Sequence, residues 1–136
     1  MKLALLGTGM IVQEVLPVLQ EIPSIALKAI LSTSRSIELA RRLAATYEVP
    51  QATSNYEAIL RNPEVDTVYV GLPNHLHYDY AKKALEAGKH VICEKPFTLS
   101  LSELEDLVTI ANDRDLWITE NRLIIAGCLW HLVSSC

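Results

Sequence analysis

Short apolar runs alternate with helix-like segments along almost the whole of this 136-residue chain. An apolar run that stops at a glycine, such as residues 2–6 before Gly7, is typical of a strand buried on both faces of a sheet. Segments with apolar residues three and four apart, such as residues 36–47, are typical of helices. This repeated alternation predicts βαβ units and a parallel sheet.

The predicted elements give a specific topology. Strands are expected over residues 2–6, 25–31, 50–52, 67–70, 90–93 and 116–119, and helices over 9–19, 36–47, 55–60, 76–87 and from 100 or 102 to 112. Right-handed crossovers leave few arrangements, of which the doubly wound Rossmann order 3-2-1-4-5-6 is favoured. We therefore expect an α/β fold of three layers, with helices on both faces of the sheet.

Three details of the helices can be tested. The first helix is expected to turn Ile11, Val15, Val18 and Leu19 inward, and Pro17 is expected to bend or shorten its last turn. The last helix begins after either Ser100 or Ser102. If Ser102 is the cap, Glu105 completes a capping box.

Composition excludes several functional classes. Half of the residues are apolar, the net charge is −4, and Lys and Arg are scattered, so we expect one globular domain that binds no nucleic acid. No apolar run reaches the length of a membrane span, so no membrane association is expected. Cys93, Cys128 and Cys136 fit no metal spacing, which favours a cytoplasmic protein with reduced thiols and no metal.

The glycine turn between the first strand and first helix is a candidate nucleotide site. Gly7 permits a tight turn, Thr8 lies within it, and Gly9 lets a pyrophosphate approach the backbone at a helix N-terminus. Val12 stands at the third glycine position of the G-x-G-x-x-G fingerprint and predicts slightly wider helix–strand spacing. Glycines in such turns are also common for steric reasons alone.

The loop after the second strand bears on the choice of cofactor. It reads Ser32, Thr33, Ser34, Arg35, with no carboxylate before Glu38. Hydroxyls and an arginine suit the 2′-phosphate of NADP better than the free ribose of NAD, so NADP is the preferred prediction and NAD the alternative. A second interpretation is a polar loop in which Ser34 or Ser36 only caps the next helix.

Two further polar clusters follow predicted strands. They are PNHLH at 73–77 and AGKHVICEKP at 87–96. Together with GTG at 7–9, their order and separation make the chain resemble the glucose–fructose oxidoreductase, inositol dehydrogenase and MocA-like family over about residues 1–121. The resemblance implies an NAD(P)-binding domain of an oxidoreductase. Such enzymes transfer a hydride between the nicotinamide and a hydroxyl of a sugar, cyclitol or diol.

The resemblance also implies residue roles. Gly7, Gly9 and the amides of Met10 and Ile11 would hold the pyrophosphate, and Leu72, Pro73, Asn74 and His77 would line the nicotinamide ribose. Glu94 would touch the same ribose or its surroundings. Lys95 would be the catalytic residue beside the nicotinamide, oriented by Pro96, because a partly desolvated lysine near a cation can relay a proton. For His77, helix capping or packing remains an equal alternative, and for His75 it is favoured.

The family's enzymes have a second, α+β substrate domain, and residues 122–136 form only an apolar tail. We expect a fragment of an oxidoreductase that binds cofactor but does not complete catalysis alone, with a small polyol or sugar substrate only if a second domain is present. An alternative is a stand-alone module that self-associates into a homo-oligomer through the tail. A third hypothesis is a Rossmann-like site for S-adenosylmethionine or a plain nucleotide.

Overall fold

A six-stranded parallel sheet organises the part of the chain that the structure, a computed structural model, describes: residues 1–94 and 100–120. Its strands are β1 (Lys2–Leu6), β2 (Ala26–Leu31), β3 (Gln51–Thr53), β4 (Thr67–Val70), β5 (His90–Cys93) and β6 (Ile118–Glu120). They lie in the order β3-β2-β1-β4-β5-β6. The predicted fold class and strand order are therefore confirmed.

Helices connect the strands as expected. They are α1 (Met10–Gln20), α2 (Ile37–Thr46), α3 (Tyr56–Leu60), α4 (His77–Glu86) and α5 (Leu101–Asp113), with 3₁₀ turns at Ser34–Ser36 and Asn74–Leu76. None of these described helices has the length and apolar character needed to cross a membrane. The predicted tail, residues 122–136, lies outside the described residues.

Alternating side chains of β1 enter two separate cores. Leu3 and Leu5 pack with α1 and α2 on one face, whereas Ala4 and Leu6 pack with α3, α4 and α5 on the other. All four side chains are fully buried. This two-sided burial is why the strand reads as a continuous apolar run rather than as an alternating one.

The inward face of α1 differs from the prediction. Ile11 is 38% exposed, and the buried residues are Val12, Val15, Leu16 and Leu19. Pro17 does not shorten the helix, which continues to Gln20. Pro17 and Gln13, whose carbonyl lies one turn earlier, are both exposed, so water can solvate that carbonyl.

The start of α5 resolves its two capping alternatives. Ser100 is the N-cap, and its hydroxyl accepts a hydrogen bond of 3.2 Å from the amide of Glu103. The capping box from Ser102 to Glu105 is therefore wrong, because Ser102 already lies inside the helix. A serine two residues earlier has the extended backbone that an N-cap requires.

Val12 and Gly71 pack together where α1 crosses the end of β4. A Cβ added to Gly71 would lie 2.6 Å from Cγ2 of Val12, which is fully buried. The glycine that the fingerprint lacks in the helix is thus matched by a glycine after the neighbouring strand. The missing Cβ at Gly71 leaves the space that the Val12 side chain fills.

At the other end of β5, Lys89 and His90 make structural contacts. The buried Lys89 ammonium donates to the carbonyls of Asn62, at 2.9 Å, and Val65, and burial lowers its pKa. The His90 ring stacks on Trp117 with 4.8 Å between centroids, and its Nδ1 accepts from the Trp117 amide at 3.1 Å. Both residues hold neighbouring loops against the sheet.

The contact between Gly71 and Val12 gives a first prediction. Gly71→Ala should lower the free energy of unfolding by about 1–3 kcal/mol, because a stiff, buried valine cannot move away from the added methyl group. In a Val12→Ala background the same substitution should cost markedly less. Chemical denaturation of the four variants measures this, and an equal cost in both backgrounds would contradict the packing described.

His90 gives a second prediction. Burial lowers the pKa of His90, with partial opposition from Asp66 and Asp115, so the unfolded chain binds a proton more readily than the folded one. Stability from this group is complete above pH 6.5 and falls as the pH drops below that value, by at most about 1.4 kcal/mol per pH unit. Urea denaturation across pH 5–8 should show that the free energy of unfolding depends less on pH in His90→Asn than in the wild type. The asparagine amide oxygen can still accept from Trp117. An identical pH dependence in the wild type and in His90→Asn would contradict this prediction.

Candidate functional site

A cleft of about 490 Å³ opens at the carboxyl ends of the central strands. It is lined by Gly7, Thr8, Gly9, Leu31, Ser32, Thr33, Ser36, Leu39, Ser54, Tyr56, Gly71, Leu72, Pro73, Leu76 and Tyr80. Most of them lie at or just after the ends of β1, β2, β3 and β4, and the helices α2, α3 and α4 contribute Leu39, Tyr56 and Tyr80. After β1 the chain continues to β2 on one side, and after β4 it continues to β5 on the other side. The cleft lies where these two directions diverge, which is the usual ligand position in open α/β sheets.

Gly7 brings two strand ends into close contact. It has a φ of +112°, and a Cβ there would lie 2.6 Å from the Gly71 carbonyl oxygen. Its amide donates to Leu31 at 2.8 Å, and the Gly71 amide donates to Leu6 at 3.0 Å. Neither the backbone angle nor the space allows a side chain at this position. Both the backbone angle and the lack of space therefore agree with the prediction that this tight turn requires glycine.

Gly9 serves a different purpose. Its φ of −70° and ψ of −179° suit any residue, and an added Cβ would meet no protein atom within 4 Å. Gly9 is the N-cap of the 11-residue helix α1, whose first amides, including those of Met10 and Ile11, have no earlier helical partner. A glycine that the protein does not need sterically, beside a helix N-terminus in a cleft, fits a bound phosphate group.

The loop after β2 contributes hydroxyl groups. Thr33 and Ser36 line the cleft, and Ser34 and Arg35 lie exposed in the 3₁₀ turn between them. Ser32 is buried and its hydroxyl donates to the Thr33 carbonyl at 3.0 Å, which shapes the loop. Among the described cleft residues there is no carboxylate.

The hydrogen bonds do not support the alternative interpretation, in which a serine of this loop only caps the next helix. Ser36 occupies the N-cap position of α2, yet its side chain makes no capping hydrogen bond. Thr33 precedes the 3₁₀ turn and likewise makes none. The hydroxyl of Ser36 is thus not committed to capping α2, and it borders the cleft.

The opposite edge of the cleft is built from the segment after β4. Leu72 and Pro73 line the cleft, whereas Asn74 is exposed and outside the lining. His77 is fully buried, and its Nε2 lies 2.7 Å from the Leu72 carbonyl oxygen. Since a carbonyl only accepts, Nε2 must carry the proton. This burial favours packing over direct ligand contact for His77, with the ring holding the Leu72 loop in place.

The residues after β5 are only partly described. The Glu94 amide donates to Val70 at 3.2 Å, and its half-buried side chain is not part of the cleft lining. Lys95 and Pro96 lie outside the described residues. Glu94 nevertheless sits at the carboxyl end of β5, beside the strand whose loop carries Leu72.

Several cleft residues escaped the sequence analysis. They are Leu31, Ser36, Leu39, Ser54, Tyr56, Gly71, Leu76 and Tyr80. Ser54 directly follows β3, so the rule that ligands bind at the carboxyl ends of strands was a usable signal for it. Tyr56 and Tyr80 are separated by 24 residues, and no local pattern indicates that they meet.

The comparisons with known proteins agree with this geometry. The family described as "Oxidoreductase family, NAD-binding Rossmann fold" (GFO_IDH_MocA) matches residues 1–121. An uncharacterized oxidoreductase of Rhizobium meliloti is 36% identical over 130 residues, which are 95% of this chain and 38% of the relative. The dTDP-3,4-didehydro-2,6-dideoxy-alpha-D-glucose 3-reductase of Saccharopolyspora spinosa is 41% identical over 92 residues, or 68% of this chain and 27% of that enzyme.

Solved structures show the same fold. A 3-ketoreductase from Actinomadura kijaniata in complex with NADP and TDP-benzene superposes with a TM-score of 0.82 at 35% identity, over 88% of this chain and 36% of that one. A biliverdin reductase from Synechocystis in complex with biliverdin and NADP+ gives a TM-score of 0.78 at 27% identity, over 88% and 37%. The chain belongs to the glucose–fructose oxidoreductase, inositol dehydrogenase and MocA-like family, and it is an NAD(P)-binding Rossmann domain.

Two consequences follow from the family assignment. The S-adenosylmethionine hypothesis loses its support, because the matching family is NAD-binding. The chain also spans only about a third of the length of these relatives.

The contrast between two glycines gives a third prediction. Gly9→Ala should change the free energy of unfolding by less than about 1 kcal/mol, because its methyl group meets only open space. The same methyl group should weaken NADPH binding at least about tenfold, because it occupies the approach of the pyrophosphate to the backbone. Calorimetric titration measures the affinity and thermal unfolding measures the stability. Unchanged affinity would show that the pyrophosphate does not bind at this position.

Proposed function

We propose that this chain holds NADP(H) for hydride transfer between the nicotinamide and a carbon that alternates between carbonyl and hydroxyl. The observation that carries the proposal is the open side of Gly9 in a cleft at the start of α1. An absent Cβ there serves a ligand rather than the fold. When bound, the cofactor supplies or accepts the hydride, and the residues of this chain bind and orient it.

The binding roles follow from the walls of the cleft. Gly7, Thr8 and Gly9 present backbone to the pyrophosphate, and the first amides of α1, those of Met10 and Ile11, donate to its oxygens. Leu72 and Pro73 form an apolar edge for the nicotinamide ribose, kept in place by the buried His77 ring. Asn74 and Glu94 are assigned to the same ribose on the family resemblance.

NADP is the preferred cofactor because of the β2 loop. The cleft lining holds the hydroxyls of Thr33 and Ser36 and, within the described residues, no carboxylate to bond the free 2′-hydroxyl of NAD. Arg35 is exposed in the adjoining turn, from which a guanidinium can make charge-assisted bonds to a phosphate. The two solved relatives named above both carry NADP. The family description itself names NAD, so the preference rests mainly on this loop.

The substrate class is proposed from the relatives. Besides the dTDP-sugar 3-reductase, a trans-1,2-dihydrobenzene-1,2-diol dehydrogenase of Xenopus laevis is 27% identical over 88% of this chain. One of these names gives a sugar and the other a diol, and the family resemblance adds a cyclitol. In each case one carbon of the proposed substrate gains or loses a hydride. The choice among them lies with the larger part of the relatives that this chain does not match.

Lys95 is proposed as the proton relay. It follows β5 directly after Glu94, and a lysine beside a cationic nicotinamide loses proton affinity and can pass a proton to an alkoxide. Lys95→Met should abolish NADPH oxidation by the chain joined to the remaining part of the Saccharopolyspora spinosa reductase, with the dTDP-3,4-didehydro-2,6-dideoxy-glucose of that enzyme's name as the hydride acceptor. NADPH affinity should stay within about threefold, since stacking and phosphate contacts are retained. Full turnover by the variant would exclude the role.

Cofactor preference is tested at Arg35. The wild-type chain should bind NADPH more tightly than NADH, and Arg35→Ala should weaken NADPH about tenfold while NADH changes little, because only NADPH has the 2′-phosphate. Arg42→Ala, an exposed arginine within α2 and outside the cleft lining, is the matched control. Fluorescence titration of both cofactors measures this, and equal or tighter NADH binding by the wild type would overturn the preference.

A further inference from the structure

Two tyrosines form one end of the cleft. The rings of Tyr56 and Tyr80 are stacked with 4.8 Å between centroids and 30° between planes. The Tyr56 hydroxyl donates to the Tyr80 carbonyl at 2.7 Å. Burial raises the pKa of Tyr56, so this donor keeps its proton at physiological pH. The pair is therefore a fixed aromatic surface rather than two independently moving side chains.

The position of the pair can be read from the sheet order. The glycine turn follows β1, the hydroxyl loop follows β2, and Ser54 and Tyr56 follow β3, which is the outer strand. Tyr80 comes from α4, which follows β4, so the pair lies where α3 and α4 meet, on the face of the sheet opposite to α1 and α2. Both rings line the same cleft as the glycine turn and the β2 loop. A dinucleotide with its pyrophosphate on the turn and a ribose at the β2 loop reaches this end with its adenine.

The chemistry of this end suits a flat, neutral base. Tyr56 and Tyr80 come from helices on one side of the sheet, and Leu39 comes from α2 on the other, so the space between them has apolar walls. Tyr80 is only partly buried, and its hydroxyl makes no hydrogen bond to any described residue. A heteroaromatic ring gains contact area from such walls and can also bond the remaining hydroxyl.

We propose that Tyr80, held in position by the Tyr56 hydroxyl, forms the contact wall for the adenine base. This inference rests on the proposed function, because it assumes a nicotinamide dinucleotide in the cleft. Tyr80 touches the base, whereas Tyr56 acts through Tyr80 and is a positioning residue.

The test separates the two ends of the cofactor by using fragments. Adenosine 2′,5′-bisphosphate and nicotinamide mononucleotide are titrated calorimetrically, beside NADPH, into the 136-residue chain. Tyr80→Leu should weaken NADPH and the adenosine fragment about five- to tenfold and leave the nicotinamide fragment unchanged, since only the adenine loses its aromatic contact. Tyr56→Phe should weaken the adenosine fragment about twofold, because its ring stays and only the fixing hydrogen bond is lost.

Tyr78→Leu is the matched control. Tyr78 lies on the same helix, its hydroxyl donates to Asp106 at 2.5 Å, and it is not part of the cleft lining. It should leave the affinity for both fragments unchanged, although it removes a contact between α4 and α5. If Tyr80→Leu fails to fold, Tyr56→Phe decides: a selective loss of the adenosine fragment supports the proposal, and unchanged affinity contradicts it.

The results also distinguish this inference from the proposed function. If the wild-type chain binds neither NADPH nor NADH, the proposed function fails and this inference fails with it. If the wild type binds NADPH but Tyr80→Leu binds the adenosine fragment equally well, only the assignment of Tyr80 is wrong. An equal loss of both fragments in Tyr80→Leu and Tyr78→Leu would show a general structural effect and would also overturn it.

Discussion

The close approach of Gly7 to Gly71 determines where this domain can hold a ligand. The two glycines end adjacent parallel strands, and a Cβ on Gly7 would lie 2.6 Å from the Gly71 carbonyl. From this point the chain crosses to opposite faces of the sheet, with α1 packed on one core and α4 on the other. The cleft opens at this point, between the glycine turn and the segments that follow β2, β3 and β4. A side chain at Gly7 would clash with the Gly71 carbonyl, and one at Gly71 would clash with Val12.

The same region explains how the chain departs from the glycine fingerprint without losing its geometry. Val12 replaces the third glycine, and Gly71 on the neighbouring strand provides the space for it. The prediction of wider helix–strand spacing considered Val12 alone, because Gly71 lies 59 positions away and no local pattern connects the two. Ile11 was predicted to lie in the core for a related reason. Helical periodicity alone could not show that Val12 packs against Gly71, whereas Ile11 is exposed.

Local patterns predicted the fold well. β1, β4 and β5 have the expected bounds, because short apolar runs ended by glycine or a polar residue have few other interpretations. β2, β3 and β6 each begin one or two residues later than predicted, because pairing with the neighbouring strand sets where they begin. The cap of α5 is Ser100 rather than Ser102. The aromatic end of the cleft was not predictable, since Tyr56 and Tyr80 meet only after α3 and α4 pack on the same face. The family resemblance implied that His77 contacts the cofactor, yet its ring is buried and contacts the Leu72 carbonyl.

The central claim is that the cleft over the glycine turn receives the dinucleotide. The most direct measurement is a titration of the ¹⁵N-labelled chain with NADPH, followed by amide chemical shifts. The account predicts large shifts at Gly7, Gly9, Thr33 and Leu72 and none at Ala87, which lines a separate surface groove beside α3. Shifts confined to that groove, or no shift at the glycine turn, would contradict it.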